Sequence, residues 1–373
     1  MAPEALPRAC RIGEQAFWLA EVEAGHAPQV EALFAQAFGA PPPPGWYQWK
    51  YGRDGLQGRA VGLWDESGRL IAHYAGFPRP LLWYGRPLAG IQIGDVMVAP
   101  HLRGLLSRRG PFFQVCSAFF THWVGKGRPY ALAFGFPHAR AIRLGVSLGL
   151  YEVAGQMTAI AWPAEHRRLP LGWRYEVLTG IATPPRVMNV ARPVPSPLAP
   201  PPAGEGRFKS RYATFTPNGA TSRLIRLAAR AWQNQAAQSQ KHILGVRDAD
   251  YLLRRYLRRP DVHYHYLSCR RWVYGQNAVA ILKHEGQSVR WLDFIGPDSA
   301  LPATVAAVCC HAAQAGLDRI EAWASQKSLA TFQALGAAVG DVAAHIALAA
   351  RSDCRHEAIL RDGWWLAGDT DFL

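Results

Sequence analysis

The sequence predicts an α/β protein of the α+β type, built as two tandem halves, each a mixed, mostly antiparallel sheet flanked by helices. Three observations predict it. A Pro-rich stretch divides the 373 residues into comparable halves. Within each half, short apolar runs separated by turn residues precede segments of helical spacing. The order of these patterns in the second half repeats that of the first.

The dividing stretch covers residues 184–206 and ends in ARPVPSPLAPPPAGEG. Pro fixes φ and removes a backbone donor, so an extended linker is expected between residues 1–183 and 207–373. In the first half, Val30, Leu33, Phe34, Ala37 and Phe38 set a helix over 28–38, stopped by Gly39 and the Pro41–Pro44 run. Residues 60–64 and 70–76 flank one turn, and 80–84 and 88–100 flank another at Gly85-Arg86. These are consecutive hairpins, hence an antiparallel meander. A helix over 111–124 places Phe112, Cys116, Phe119, Phe120 and Trp123 on one face. A strand over 129–136 and a helix over 139–148 follow.

The second half is expected to give helices over 221–231 and 250–257, strands over 263–269, 277–283 and 288–295, a helix over 303–315, a strand over 319–324 and a helix over 328–335. Residues echo as well. Trp49-Lys50-Tyr51 matches Arg254-Arg255-Tyr256, and Ile93-Gly94-Asp95-Val96 matches Trp291-Leu292-Asp293-Phe294. Shared order and spacing argue for an internal duplication.

Hydrophobic residues make up 49% of the chain, which suits two cores better than one. The net charge of +14 favours anionic ligands without choosing among them. No helix-turn-helix, RNA-recognition or zinc-finger pattern occurs, so nucleic acid is the less favoured partner. None of the six cysteines has a Cys-x-x-Cys partner or a zinc-ligand spacing. They are expected to be free thiols in a reducing compartment, with no metal site. The first residues carry no apolar signal core, and no run is long and apolar enough to span a bilayer. A soluble, cytoplasmic protein is expected.

Most of the functional signal lies in Asp95-Val-Met-Val-Ala-Pro-His-Leu-Arg-Gly104, continued by LLSRR and Gly110-Pro-Phe. A strand ends, a Gly- and Arg-containing loop follows, and a helix opens. A diphosphate needs converging backbone N–H groups and a helix N-terminus, with glycine to let the backbone approach. Pro111 suits the first helical position, where its missing N–H costs nothing. Downstream, His138-Ala-Arg-Ala141-Ile-Arg-Leu-Gly145-Val-Ser-Leu-Gly149-Leu150 forms a second motif.

Together these resemble the coenzyme-binding motifs of the GNAT (GCN5-related) N-acetyltransferase superfamily, in a tandem form with a degenerate second half. The first motif is similar to Val-x-Pro followed by an Arg-Gly-x-Gly-x-Gly type loop. The second follows Asn-x-x-Ala-x-x-x-Tyr-x-x-x-Gly-Phe position for position. The departures are about four extra loop residues before Gly110, Phe112 for a small residue, His138 for Asn, and Gly145 for the Tyr that often protonates the leaving thiolate. The second-half loop, Gly296-Pro-Asp-Ser-Ala-Leu-Pro, lacks both the Arg and the Gly spacing. It is not expected to bind coenzyme.

The resemblance implies transfer of an acyl group, acetyl by default, from acyl-CoA to a primary amine by direct attack, with acyl-CoA as co-substrate and a small or amino-acid-like amine as acceptor. The coenzyme contacts it implies are Met97 and Val98 on the splayed strand, Arg103, Gly104, Arg108, Arg109 and Gly110 on the loop, and His138. Candidates for proton transfer are Asp95, His73 and Tyr151. Each has a structural alternative: an Asp paired with a nearby Arg in the core, an exposed or hydrogen-bonded His, a packing Tyr. Cys116, on an apolar helix face, reads as core and not as a nucleophile. Trp46, Tyr47, Trp49 and Tyr51 either line an acceptor pocket or pack beneath the sheet. A coenzyme-binding protein without turnover is the alternative that Gly145 raises.

Overall fold

The computed structural model describes residues 6–181, 217–272, 275–350, 354 and 356–370. The expected linker over 184–206 lies outside them. The first half contains β1 (Arg8–Ile12), β2 (Gln15–Glu21), α1 (Ala27–Phe38), α2 (Trp46–Tyr51), β3 (Arg59–Asp65), β4 (Leu70–Pro78), β5 (Leu81–Trp83), β6 (Arg86–Leu88) and β7 (Gly90–Val98). It continues with α3 (Pro111–Trp123), β8 (Leu132–Gly135), α4 (Ala139–Ser147), β9 (Glu152–Pro163) and β10 (Trp173–Leu178). The second half contains α5 (Gly219–Ala237), β11 (Ile243–Gly245), α6 (Ala249–Leu252) running into a π turn (Leu253–Leu257), β12 (His265–Arg271), β13 (Asn277–Glu285) and β14 (Ser288–Ile295). Then come α7 (Leu301–Gln314), β15 (Arg319–Ser325), α8 (Gln326–Ala334), β16 (Ala338–Ala350), α9 (His356–Asp362) and β17 (Gly363–Trp364).

Thirteen strands form one mixed sheet in the order β1-β2-β3-β4-β7-β8-β16-β9-β15-β14-β13-β12-β10. The order is nearly palindromic. β2-β3-β4-β7-β8 on one side corresponds to β10-β12-β13-β14-β15 on the other. In each half one parallel pair, β7 with β8 and β14 with β15, is joined through a helix, α3 or α7.

The halves exchange strands at the centre. β16, from the second half, pairs antiparallel with β8 of the first. β9, from the first, pairs antiparallel with β15 of the second. β16 and β9 then pair with each other. A shared core forms over this exchange, with Leu132, Phe134, Ala154 and Met157 against Ala344, Ile346, Leu348 and Trp365. Strands from both sides of the expected boundary therefore share one sheet.

One expected strand differs from observation. The run 88–100 is two strands in two sheets: the β5–β6 hairpin leaves the main sheet and pairs with β11, which also takes β17. Gly90 marks the break, because a Cβ there would sit 2.9 Å from the Arg79 carbonyl oxygen. The segment 46–51 is helical, so its aromatic residues point to several sides of α2.

Cys10, Cys116, Cys269, Cys309 and Cys310 are free thiols. Cys116 is fully buried on the core face of α3, and burial pushes its thiol pKa far up. Among the described residues no helix is long and apolar enough to cross a membrane.

Candidate active site

Strands β7 and β8 pair over only three residues, Gly90–Gln92 against Leu132–Phe134. Beyond Gln92 they diverge. β7 also carries an irregularity against β4, where the register shifts between His73 and Ala75 and places Asp95 and Val96 in a bulge. Asp95 adopts φ +50°, unusual for a residue with a side chain. The bulge bends β7 away from β8.

A cavity of about 480 Å³ fills the opening. Its walls are Ile93–Val96 of β7, Ala133–Gly135 of β8, Phe34 and Phe38 of α1, Trp46, Trp49 and Lys50 of α2, and Phe112 and Phe120 of α3. Trp46 and Trp49 are 6% and 5% exposed, so they are core residues and cavity wall at once.

The polar group at the bulge is organised around Asp95. Lys50 Nζ donates to its Oδ1 at 3.1 Å and the Tyr51 hydroxyl to its Oδ2 at 2.7 Å. Lys50 also lies 4.6 Å from the centroid of the Phe77 ring. The cation beside Asp95 is thus a lysine on α2, where an arginine is expected from sequence.

His73 does not line the cavity and is fully buried. Its Nδ1 lies 2.8 Å from the main-chain oxygen of Asp95. A carbonyl only accepts, so Nδ1 carries the proton and donates. Burial holds the imidazole neutral, with its pKa lowered to about 4. His73 therefore positions the bulge and cannot reach an acceptor amine, which corrects its place among the proton-transfer candidates. His101, beside the loop, is exposed and also lies outside the cavity wall.

Tyr151 lines the cavity, and its hydroxyl donates to the Ala141 oxygen at 2.9 Å. Its ring occupies the space that Gly145 leaves: a Cβ at 145 would lie 1.8 Å from Tyr151 Cζ and 2.1 Å from its hydroxyl oxygen. Glycine at 145 and tyrosine at 151 are one exchange of volume. Burial raises the phenol pKa further, so it stays protonated at neutral pH.

Antiparallel alternation assigns the backbone groups of β7. The Ala99 N–H reaches the Ile71 oxygen, so Val98 opposite Ala72 faces away from β4 while Met97 faces it. The Val98 carbonyl indeed points outward, where it accepts from Arg103 Nε at 3.1 Å. Only Val98 of the expected pair offers its N–H to the open edge; the Met97 side chain is in the core.

The loop before α3 is tight. Gly110 caps the helix, and a Cβ there would lie 1.9 Å from the Leu105 oxygen. Gly104 differs, since a Cβ there meets nothing within 4 Å. With Pro111 at the first position, α3 leaves early N–H groups facing the loop, with no acidic side chain in its first turn.

Arg103 is committed to the main chain: besides Val98 it donates to the Ala37 oxygen at 2.6 Å. It clips the loop to α1 and does not point freely at the helix N-terminus. Arg108 reaches Gly149, lining a second hollow of about 360 Å³ with Phe113, Ser117 and Leu150. Arg109 is exposed, and its N–H donates to Ser107 Oγ at 3.2 Å. His138 lines the cavity and caps α4, its Nδ1 accepting from the Ala141 N–H at 3.4 Å.

The second half closes the far side of the cavity. Ala347 and Ala349 of β16 and Arg259 and Asp261 contribute to the wall. Arg259 lies over the Trp49 ring at 4.9 Å and pairs with Asp261 at 3.0 Å. Trp49 Nε1 donates to the Arg254 oxygen at 2.8 Å, which docks the π turn on α2. Sequence reasoning missed Lys50 and these second-half residues.

The duplicated position in the second half is filled. Tyr256 donates to Asp293 at 2.9 Å, as Tyr51 does to Asp95, but the neighbouring cation is the fully buried Arg247, at 2.7 Å. At the start of α7, side chains of α5 satisfy the loop: Gly296 N–H to Gln235 at 3.4 Å and Asp298 N–H to Gln238 at 3.3 Å. Donors that would meet an anion are used internally.

Comparisons with known proteins agree with this geometry. Residues 19–149 match the model of the acetyltransferase (GNAT) domain family. No curated protein matches the chain. Among solved structures, a probable N-acyltransferase from Enterococcus faecalis V583 superposes with a TM-score of 0.58 at 11% identity, over 89% of this chain and 72% of that one. GCN5-related N-acetyltransferases from Anabaena variabilis ATCC 29413 and Kribbella flavida give 0.57 and 0.55 at 12% and 14% identity. They cover 90% and 91% of this chain and 72% of each of those. At such identities the likeness is one of fold. Residues 19–149, about a third of the chain, are thus similar to an acetyltransferase (GNAT) domain, set in a larger two-half sheet.

Proposed function

We propose that the protein is an acyl-CoA-dependent N-acyltransferase whose acceptor is a primary amine with an apolar body. The observation that carries this reading is the cavity where β7 and β8 diverge, beside the N-terminus of α3, whose Gly110 cap supplies no side-chain acceptor. The coenzyme diphosphate is assigned to the α3 N-terminus and the Gly110 loop. Arg108 and its hollow take the nucleotide end. The pantetheine arm runs between the diverging strands, along the Val98 N–H. The acceptor enters from α1, α2 and Arg259, against the aromatic wall.

In the reaction the neutral amine attacks the thioester carbonyl. The N–C bond forms, the C–S bond breaks, and the amine loses a proton to solvent. No acyl-enzyme is needed, which agrees with the sealed Cys116. Tyr151 is assigned to protonate the departing thiolate, because its protonated phenol lines the cavity in the volume vacated at Gly145. Asp95, held by Lys50 and Tyr51, fixes the polar end against which the amine is aligned. The free thiols agree with a reducing, cytoplasmic setting.

Release of free CoA from acetyl-CoA in the presence of an amine panel tests the proposal. Tyr151→Phe is expected to lower kcat about 100-fold, the lower end of general acid–base effects, with little change in KM for the coenzyme. Saturable acetyl-CoA binding with no turnover on any amine would favour the binding-only alternative instead.

A further inference from the structure

Away from the cavity, three histidines converge in the second half. His265 opens β12, His284 lies near the end of β13, and His311 is in the last turn of α7. The strand register explains why they meet. His265 is opposite Leu282, so its side chain shares a sheet face with Leu282 and, two residues on, with His284. Leu267, Cys269, Ala278 and Ala280 lie on that same face, the one α7 covers. His311 descends from α7 onto the exposed end of this core.

We propose that His265, His284 and His311 form a binding site for a divalent transition-metal ion of the zinc type. One candidate ligand atom from each ring lies within 4.8 Å of the other two. Nε2 of His284 and Nε2 of His311 are 3.3 Å apart. Two donors of a tetrahedral zinc site, each about 2.0–2.1 Å from the ion, are separated by about 3.3–3.4 Å. His265 stacks on His284 with centroids 3.9 Å apart and planes 12° from parallel, which places it beside the pair as the third candidate ligand. Among the described residues no Lys or Arg side chain donates to these rings, and the one hydrogen bond they make is between His284 and His311.

His265 and His284 are half-buried and His311 is buried, so the fourth position is assigned to water on the side of the two strand histidines. None of them lines the cavity, so the ion is assigned a clipping role between β12, β13 and α7.

The test uses the full chain without a polyhistidine tag, freed of metal with a chelator. Zn²⁺ is titrated by calorimetry, and Co²⁺ is followed by its visible absorption. One Zn²⁺ per chain and an intense four-coordinate Co²⁺ spectrum are expected. Loss of an outer-shell partner already costs 10–100-fold in metal affinity, so His284→Ala and His311→Gln should each weaken binding at least about 100-fold. His101→Ala, exposed in the other half, should change nothing. Circular dichroism confirms that each variant is folded, and His311→Gln keeps the packing of α7 should His284→Ala unfold. Zinc held no more tightly by the wild type than by a folded His284 or His311 variant would overturn the site.

Discussion

Replacement of His73 by Asn should remove a defined portion of the protein's acid sensitivity. His73 is fully buried, and its pKa is lowered from 6.5 to about 4, chiefly by burial. Such a group contributes stability that is fully present above the unfolded value and lost as pH falls toward the folded one, because only the unfolded chain takes up the proton. At pH 5 the unfolded chain gains about 2 kcal/mol from protonating this histidine, and the native protein almost none. Asn can still donate to the Asp95 carbonyl, so the bulge keeps its hydrogen bond. The variant loses packing at every pH, and that loss cancels in the comparison. Urea unfolding at pH 7.5 and pH 5.0 is the assay. His265, His284 and His311 are shifted in the same direction and add to the decline in both proteins. The wild type should therefore lose about 2 kcal/mol more than His73→Asn between the two pH values. Equal losses would refute the reasoning, since His73 would then titrate alike in the folded and unfolded chains.

Lys50→Met should destabilise the fold by about 3 kcal/mol, because it strands the Asp95 carboxylate, whose side chain is 7% exposed. Lys50→Met with Asp95→Asn should recover part of that loss, and a urea double-mutant cycle reads the difference. Gly145→Ala should cost about 1–3 kcal/mol, since its Cβ must displace the Tyr151 ring. In a Tyr151→Ala background the same change should be nearly neutral, by the same unfolding assay.

The main elements were legible because their signals are local. The strand over 288–295 matches β14, and the helix over 28–38 matches α1 to within a residue. The α/β fold class followed from the order of strand and helix patterns, and the Asp95–Gly110 segment stood out by its resemblance to a GNAT coenzyme motif. The Tyr51–Asp95 and Tyr256–Asp293 contacts lie where the two echoed motifs meet.

What was not legible depends on distant chain. No periodicity shows that β16 leaves its own half to lie beside β8, or that Arg259 reaches the Trp49 ring. The second sheet escaped because β5, β6, β11 and β17 are only two or three residues long. Arg103 was read as a phosphate ligand from its place beside glycine. Its partners are main-chain oxygens of Val98 and Ala37, the latter on α1, which sequence does not reveal. The histidine cluster has no local motif, because its members come from two strands and a helix.

The central claim is that the first half binds acyl-CoA through the Gly110 loop and the opening between β7 and β8. Calorimetric titration of acetyl-CoA and longer acyl-CoAs into the wild type, Gly110→Asp and Gly104→Ala tests it most directly. The wild type should bind one equivalent, and Gly104→Ala should bind alike, because its Cβ meets open space. Gly110→Asp should abolish binding, through the collision with Leu105 and the negative charge placed at the helix N-terminus. Failure of the folded wild type to bind any acyl-CoA, or equal binding by Gly110→Asp, would contradict the account.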